Sequence, residues 1–316
     1  MSILITGGCG YVGSVLVPFL LEHDYKIKVV DSQWFGNYLS PNKNLEIVKK
    51  KVEDIDESDL KNIENVIHLA NVANDPSVEL NPSFSWEVNV LHTNLLLEKC
   101  RKAGKIKKFI YASSGSVYGV RPEQRVTEEI ELTPISIYNK TKMTTERVVS
   151  SYSSDFKIFN IRPATVCGVS PRMRFDVVVN MFVLQAYKNK SIKVLGGDQV
   201  RPNIHIKDMA RVYLHLLQSD SIASGSYNAG FENLFVSEIA TMVSKVTGAK
   251  IDLFESNDPR SYRQDSNKLL NTGFKPNHSV DKAINEIYQK LTSGDLVENP
   301  SNFTVDWMKS NRIGIN

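Results

Sequence analysis

The chain is predicted to fold as an α/β protein, a doubly wound parallel sheet carrying a smaller α/β lobe. Three observations predict this. Short apolar runs alternate with helix-period segments through the first half, glycines at fixed spacing occupy the first junction between them, and beyond about residue 163 the alternation becomes irregular. Buried strands separated by helices require right-handed crossovers and hence a parallel sheet. With 316 residues the chain has room for two lobes of roughly 100–200 residues each.

The first apolar run is Ile3-Leu4-Ile5, followed by a helical pattern over 11–23, in which Pro18 should bend the helix because it lacks an N–H. Ile27-Lys28-Val29-Val30 and Val66-Ile67-His68-Leu69 read as the next strands. A long amphipathic stretch covers 84–103, then come a strand at Phe109-Ile110-Tyr111, a helix over 138–152 and a strand over 156–161. In the second half, 175–189, 236–247 and 279–292 read as helices, and Ile192-Lys193-Val194-Leu195 as a short strand ending in Gly196-Gly197. The intervening loops are long and polar, notably 255–268, which suits a lobe that shapes a pocket.

Composition narrows the function. An apolar fraction of 41% and a charged fraction of 23% are ordinary globular usage, which excludes disordered and collagen-like chains. The net charge of +3 is too small for the basic stripe that nucleic acid or an anionic membrane requires. No segment approaches the roughly 20 apolar residues that span a bilayer. The glycine-interrupted N-terminus makes a poor signal peptide. Three scattered cysteines, Cys9, Cys100 and Cys167, suit a reducing compartment, so a cytoplasmic location is expected. The six histidines never fall at metal-ligand spacing with cysteines or carboxylates, so no metal site is expected.

Gly7-Gly8-Cys9-Gly10-Tyr11-Val12-Gly13 places glycines where a tight turn, close approach to a diphosphate and close helix packing each require a missing Cβ. Asp31 ends the second strand 18 residues after Gly13. A carboxylate there can accept from both ribose hydroxyls and repels a 2′-phosphate, which favours NAD over NADP. Tyr138 and Lys142 are four residues apart on a predicted helix and therefore share a face. An ammonium beside a phenol favours the phenolate, which makes the tyrosine a usable base. Upstream, the strand over 109–112 runs into Ser113-Ser114-Gly115-Ser116 at its carboxyl end, where doubly wound sheets bind ligands.

With these features in place the chain resembles the extended short-chain dehydrogenase/reductase family, in its group of NAD-dependent nucleotide-sugar epimerases and dehydratases. The resemblance extends over nearly the whole length. Besides the glycine loop, its marks are Asp54-Ile55, His68-Leu69-Ala70, Asn89, Ser113-Ser114 onward to Gly119, Tyr138 with Lys142, and Arg201-Pro202-Asn203-Ile204-His205. The resemblance implies a Rossmann domain for NAD at 1–165 plus about 203–230, with Ile204-His205-Ile206 as a strand returning to it. The nucleotide-sugar lobe would be 166–202 plus 231–316. It makes Tyr138 the base, Lys142 its partner and a ribose ligand, and Ser114 the orienting hydroxyl. Gly7, Gly10, Tyr11, Val12, Gly13, Asp31, Leu69, Ala70 and Pro163 would meet the cofactor, Asp54 and Ile55 its adenine, and Asn89 would buttress the site. Many relatives are homodimers through the helices matching 84–103 and 138–152, so a homodimer is expected.

The substrate implied is a nucleotide-diphosphate sugar. Guanidinium forks bind a diphosphate bidentately, and Arg172, Asn180, Arg201, Arg260 and Arg263 stand in segments resembling the family's nucleotide-binding stretches. Phe175 and Tyr262 are candidates for stacking on a base. The related dehydratases carry acidic residues directly after the catalytic hydroxyl residue. This chain has Gly115 and Ser116 there, which disfavours a 4,6-dehydratase. A 4-epimerase is the leading expectation. A C4 dehydrogenase or ketoreductase, of the kind acting on GDP-linked heptoses, is the alternative, and a non-catalytic NAD-binding scaffold is a third class that intact Ser114, Tyr138 and Lys142 argue against.

Overall fold

The computed structural model describes residues 1–256 and 261–314. The strands, in chain order, are β1 (Ser2–Thr6), β2 (Lys26–Asp31), β3 (Leu45–Lys49), β4 (Asn65–His68), β5 (Lys108–Ala112), β6 (Lys157–Pro163), β7 (Thr165–Cys167), β8 (Ser191–Leu195), β9 (Val200–His205), β10 (Gly225–Ala229), β11 (Glu232–Phe235) and β12 (Lys250–Phe254). Among the described residues seven form one parallel sheet in the order β3-β2-β1-β4-β5-β6-β10. The strand order reverses between β1 and β4, and that switch point is where open α/β sheets bind ligands. Ile3, Leu4 and Ile5 of β1 are fully buried, as expected of a central strand covered by helices on both faces.

The remaining strands make two small sheets. In one, β9 pairs antiparallel with β11 and parallel with β7; in the other, β8 pairs parallel with β12. Ile204-His205-Ile206 is therefore not a strand returning to the first lobe. Strand β9 ends at His205 inside the small sheet, and the return is made by the helix Ile206–Gln218, whose buried Met209, Val212 and Leu216 share a core with Leu16 and Val17. The strong apolar stripe of that helix explains why it, and not the strand, crosses back.

The helix Gly13–Leu21 continues through Pro18 without a break. The amphipathic stretch expected at 84–103 is a helix Pro82–Trp86, a wider π turn over Glu87–Leu91 and a helix His92–Ala103. Single π turns inside helices often mark functional sites, and this one contains Asn89. Among the described residues no helix is long and apolar enough to cross a membrane, and no cluster of His, Cys, Asp or Glu could hold a metal ion. All three cysteines are free and buried.

Candidate active site

A cavity of about 630 Å³ opens at the carboxyl ends of the parallel strands, a size that suits small-molecule ligands. One wall is the glycine turn. Gly7 has φ +72°, and a Cβ there would stand 2.6 Å from Ala70 N, so the turn is pressed against the residues that follow β4. At Gly13 a Cβ would stand 2.5 Å from Gly8 O, which keeps the helix packed on the loop. No side chain caps the start of that helix, which leaves backbone N–H groups for an anion. Gly10, Tyr11 and Val12 line the cavity beside it.

Asp31 closes the next part of the wall. Its Oδ2 accepts from Cys9 N at 2.9 Å and its Oδ1 from Gln33 N at 2.6 Å, so the carboxylate is fixed by backbone before any ligand arrives. Burial holds its pKa above the ordinary carboxylate value, opposed by those two N–H groups and by Arg172. The Cys9 thiol, pushed up to about 12 by burial and by Asp31, is a small filler and no nucleophile. Uncapped helix start, glycine cradle and a fixed carboxylate at the end of β2 together fit a dinucleotide.

On the opposite side the helix Ile137–Ser150 begins at Ser136, whose hydroxyl accepts from Asn139 N at 3.1 Å. Tyr138 and Lys142 follow one turn apart, and both line the cavity with Ser114. The Lys142 Nζ donates to Ala112 O at 2.6 Å and lies 5.9 Å from the Tyr138 ring centroid. Burial pulls the Lys142 ammonium down to about 7, with Glu146 opposing. Burial also pushes the Tyr138 phenol up to about 12, against a hydrogen bond with Ser114 and the charge of Arg174, while Asp75 reinforces the rise. A cationic ring beside the phenol would lower it. Ser114 Oγ is 2.7 Å from Ser116 Oγ, which in turn accepts from Asn139 Nδ2 at 2.9 Å, so the Ser114 hydroxyl is held in a chain.

Deeper groups keep these side chains in place. Ser113 Oγ donates to Glu146 Oε1 at 2.5 Å, and Glu146 pairs with Arg162 at 2.7 Å in a buried ion pair that ties the ends of β5 and β6 to the helix. Asn89 Oδ1 accepts from Val72 N at 2.7 Å, and its Nδ2 donates to Val72 O and Thr141 Oγ1. Asn89 thus pins the loop after β4 to the Tyr138 helix without lining the cavity. His68, bonded to Thr6 and Thr93 and held near 3 by burial, is neutral and structural.

Among the expected cofactor residues, Gly7, Gly10, Tyr11, Val12, Gly13, Asp31, Leu69, Ala70 and Pro163 all line the cavity. Asp54 and Ile55 do not: Asp54 is exposed and Ile55 is buried in the core with Leu4 and Val30, and the neighbouring Val52 and Glu53 line the wall in their place. Of the expected substrate residues, Arg201 and Tyr262 line the cavity. Asn180 is corrected to a strut, because it is fully buried and its amide bonds Gly168 N, Tyr11 Oη and the Arg174 carbonyl. Arg263 lies over the Phe235 ring, away from the cavity, and Phe175 is buried against Phe303. Arg260 lies outside the described residues. Arg172 reaches the cavity, but beside Asp31 and Phe35. The sequence reading missed Arg174, which acts electrostatically on Tyr138 and forks onto Asp176 at 2.8 and 3.1 Å. The spacing Arg-x-Arg-x-Asp over 172–176 was its available signal.

The space at Gly115 is tight: a Cβ there would stand 3.0 Å from Tyr262 Oη, 3.1 Å from Gln264 Nε2 and 3.2 Å from Pro163 O, so a side chain at this position would press on both polar tips.

The model of the NAD dependent epimerase/dehydratase family matches residues 3–230. A UDP-glucose 4-epimerase of Corynebacterium glutamicum is 27% identical over 93% of this chain and 96% of its own length. A UDP-glucose 4-epimerase of Bacillus subtilis is 28% identical over 79% of this chain and 84% of its own. The solved structure of UDP-glucose 4-epimerase from Thermotoga maritima with UDP-glucose superposes with a TM-score of 0.84 at 25% identity, covering 94% of this chain and all of that one.

Proposed function

Since the chain belongs to the NAD dependent epimerase/dehydratase family, we propose that it inverts C4 of a nucleotide-linked sugar through a 4-keto intermediate. One observation carries the reading: Ser114, Tyr138 and Lys142 converge on the cavity that the glycine cradle and Asp31 also line. NAD, the cofactor of the family, supplies a hydride acceptor and donor when bound; Gly7, Gly10, Asp31 and Lys142 would hold it. Tyr138 takes the proton from the sugar 4-hydroxyl and later returns it, a positioned acid–base role. Ser114 donates to that oxygen and keeps it in line with Tyr138. Lys142 stabilises the phenolate.

Gly115 and Ser116, directly after Ser114, carry no acidic group, which argues against loss of water across C5 and C6 because the extra proton-transfer groups of that reaction are missing there. A UDP-hexose is the first substrate to test, since the relatives are UDP-glucose 4-epimerases. In this reading the first half holds the cofactor and the substrate lies against the small sheets, with Arg201 on its diphosphate. Exposed Leu91 and Leu95 on the helical stretch over 82–103 support a homodimer through that face. Buried free cysteines are consistent with a cytoplasmic enzyme.

The test is incubation with UDP-, GDP-, CDP- and dTDP-hexoses while following NADH absorbance and the C4 configuration by proton NMR. Appearance of the C4 epimer without net NADH is the expected result. Stoichiometric NADH points to the C4 dehydrogenase instead, and silence with every sugar overturns both.

A further inference from the structure

We propose that Arg172 is a ligand of the dinucleotide, at its adenosine ribose and diphosphate end, and not of the sugar nucleotide. The proposal rests on the dinucleotide reading of the cavity. Arg172 is 3% exposed, and its guanidinium lies 4.0 Å from the centroid of Phe35, in the loop that follows Asp31. It also acts electrostatically on Asp31, the carboxylate at the ribose position. Its position is fixed by the glycine turn itself: Tyr11 Oη donates to Gly168 O at 2.8 Å and Ser170 Oγ donates to Tyr11 O at 2.7 Å, so the segment carrying Arg172 is tied to the loop that cradles the diphosphate.

The donors of this guanidinium are underused. Nε has no partner, and Nη1 and Nη2 make only long bonds, 3.5 Å to Met173 O and 3.4 Å to Thr304 Oγ1. Arg172 makes no ion pair with a described residue, while the nearby Arg174 already has Asp176. A buried cation normally has an acceptor for each of its forks. Burial and the neighbouring Arg174 hold Arg172 down to about 10, with Asp176 only partly opposing them. An anionic diphosphate with adjacent ribose hydroxyls, entering the cavity that Arg172 lines, supplies both charge and acceptors in the bidentate geometry that guanidinium favours. The bond to Thr304, together with Trp307 Nε1 donating to Trp34 O at 2.7 Å, places the C-terminal segment over this same end.

The experiment compares wild type, Arg172→Gln and Arg172→Lys, all stripped of nucleotide and checked for an unchanged circular dichroism spectrum. Binding of NAD, ADP-ribose and UDP is measured by calorimetry. ADP-ribose lacks the nicotinamide, and UDP carries the diphosphate of the sugar nucleotide. Arg172→Gln should weaken NAD and ADP-ribose alike by about 10- to 100-fold, the scale of one or two charge-assisted hydrogen bonds, and leave UDP unchanged. Arg172→Lys, which keeps the charge and loses the fork, should fall between. If Arg172→Gln folds poorly, the lysine variant alone decides: undiminished ADP-ribose binding overturns the proposal. Selective loss of UDP binding also overturns it. Failure of the wild type to bind NAD or ADP-ribose defeats the dinucleotide reading itself, a separate outcome.

Discussion

Lys142 sits in an environment that serves chemistry at the expense of stability, and the cost can be worked out. The side chain is 1% exposed, its ammonium has one short hydrogen bond to Ala112 O, and burial carries it from 10.5 down to about 7. At about 1.4 kcal/mol for each tenfold change in proton affinity, that shift makes Lys142 cost roughly 4 to 5 kcal/mol at pH 7, before relaxation reduces it. Lys142→Met keeps the length and removes the buried amine. The bond to Ala112 O is lost at roughly 1–3 kcal/mol, leaving a net gain of about 2–3 kcal/mol. At roughly 2–4 °C per kcal/mol for a chain of this size class, the variant should melt about 5–10 °C higher than the wild type while losing activity. The gain must depend on pH. With the folded pKa below the unfolded one, the unfolded chain binds more protons between about 7 and 10.5, so wild-type stability rises with pH in that window. The penalty is complete below about 7 and falls by about half between pH 7 and pH 9, a loss of roughly 2 kcal/mol, so the advantage of the methionine should nearly vanish by pH 9. Differential scanning calorimetry of both proteins, stripped of nucleotide, at pH 6, 7, 8 and 9 reads the difference directly. A methionine variant that melts lower at every pH, or a difference flat across this range, refutes the reasoning.

Other perturbations have equally definite outcomes. Tyr138→Phe removes the base and should lower the turnover rate at least about a hundredfold while ADP-ribose binding, measured by calorimetry, stays as in the wild type. Gly7→Ala forces a side chain into the left-handed region at roughly 1–2 kcal/mol and presses its Cβ to 2.6 Å from Ala70 N; a melting temperature lower by roughly 5 °C or more and lost NAD binding are expected. Asp31→Ser removes both the ribose acceptor and the repulsion of a 2′-phosphate, so titrations should show NAD binding weakened and NADP binding strengthened. Asn89→Ala frees Val72 and strands buried polar groups, with an expected loss of about 1–3 kcal/mol in denaturant unfolding and a lower turnover rate with little change in ADP-ribose affinity.

What the sequence revealed was mostly local. The glycine turn and the Tyr138–Lys142 pair are specified by residues within one turn or one helix face, and Asp31 by the end of the next strand, so their spacing alone locates them. The seven-stranded sheet was legible where strands are apolar, and obscure at β10, whose Gly225-Ser226-Tyr227-Asn228-Ala229 has no apolar run. Strand β7, only Thr165–Cys167, is too short for any period to show. Residues placed by packing far along the chain, such as Asn180, were the hardest to read from sequence. Asn180 is a strut because it bonds Tyr11, 169 positions earlier, and Arg172 stands beside Asp31 for the same long-range reason. Asp54 faces solvent because the turn before the capping box at Asp56 points it outward. For Asn180 and Arg172 the residue type was informative and its partner lay far along the chain, whereas for Asp54 the cause is the local turn.

The most direct test of C4 inversion by hydride return is to run the reaction in deuterium oxide with a UDP-hexose and follow the ring protons by NMR. Inversion through a 4-keto intermediate returns the original hydrogen, so the C4 epimer should accumulate with full proton intensity at C4 and no deuterium at C3 or C5. Deuterium entering the ring, or a product lacking the C6 hydroxyl, contradicts that mechanism.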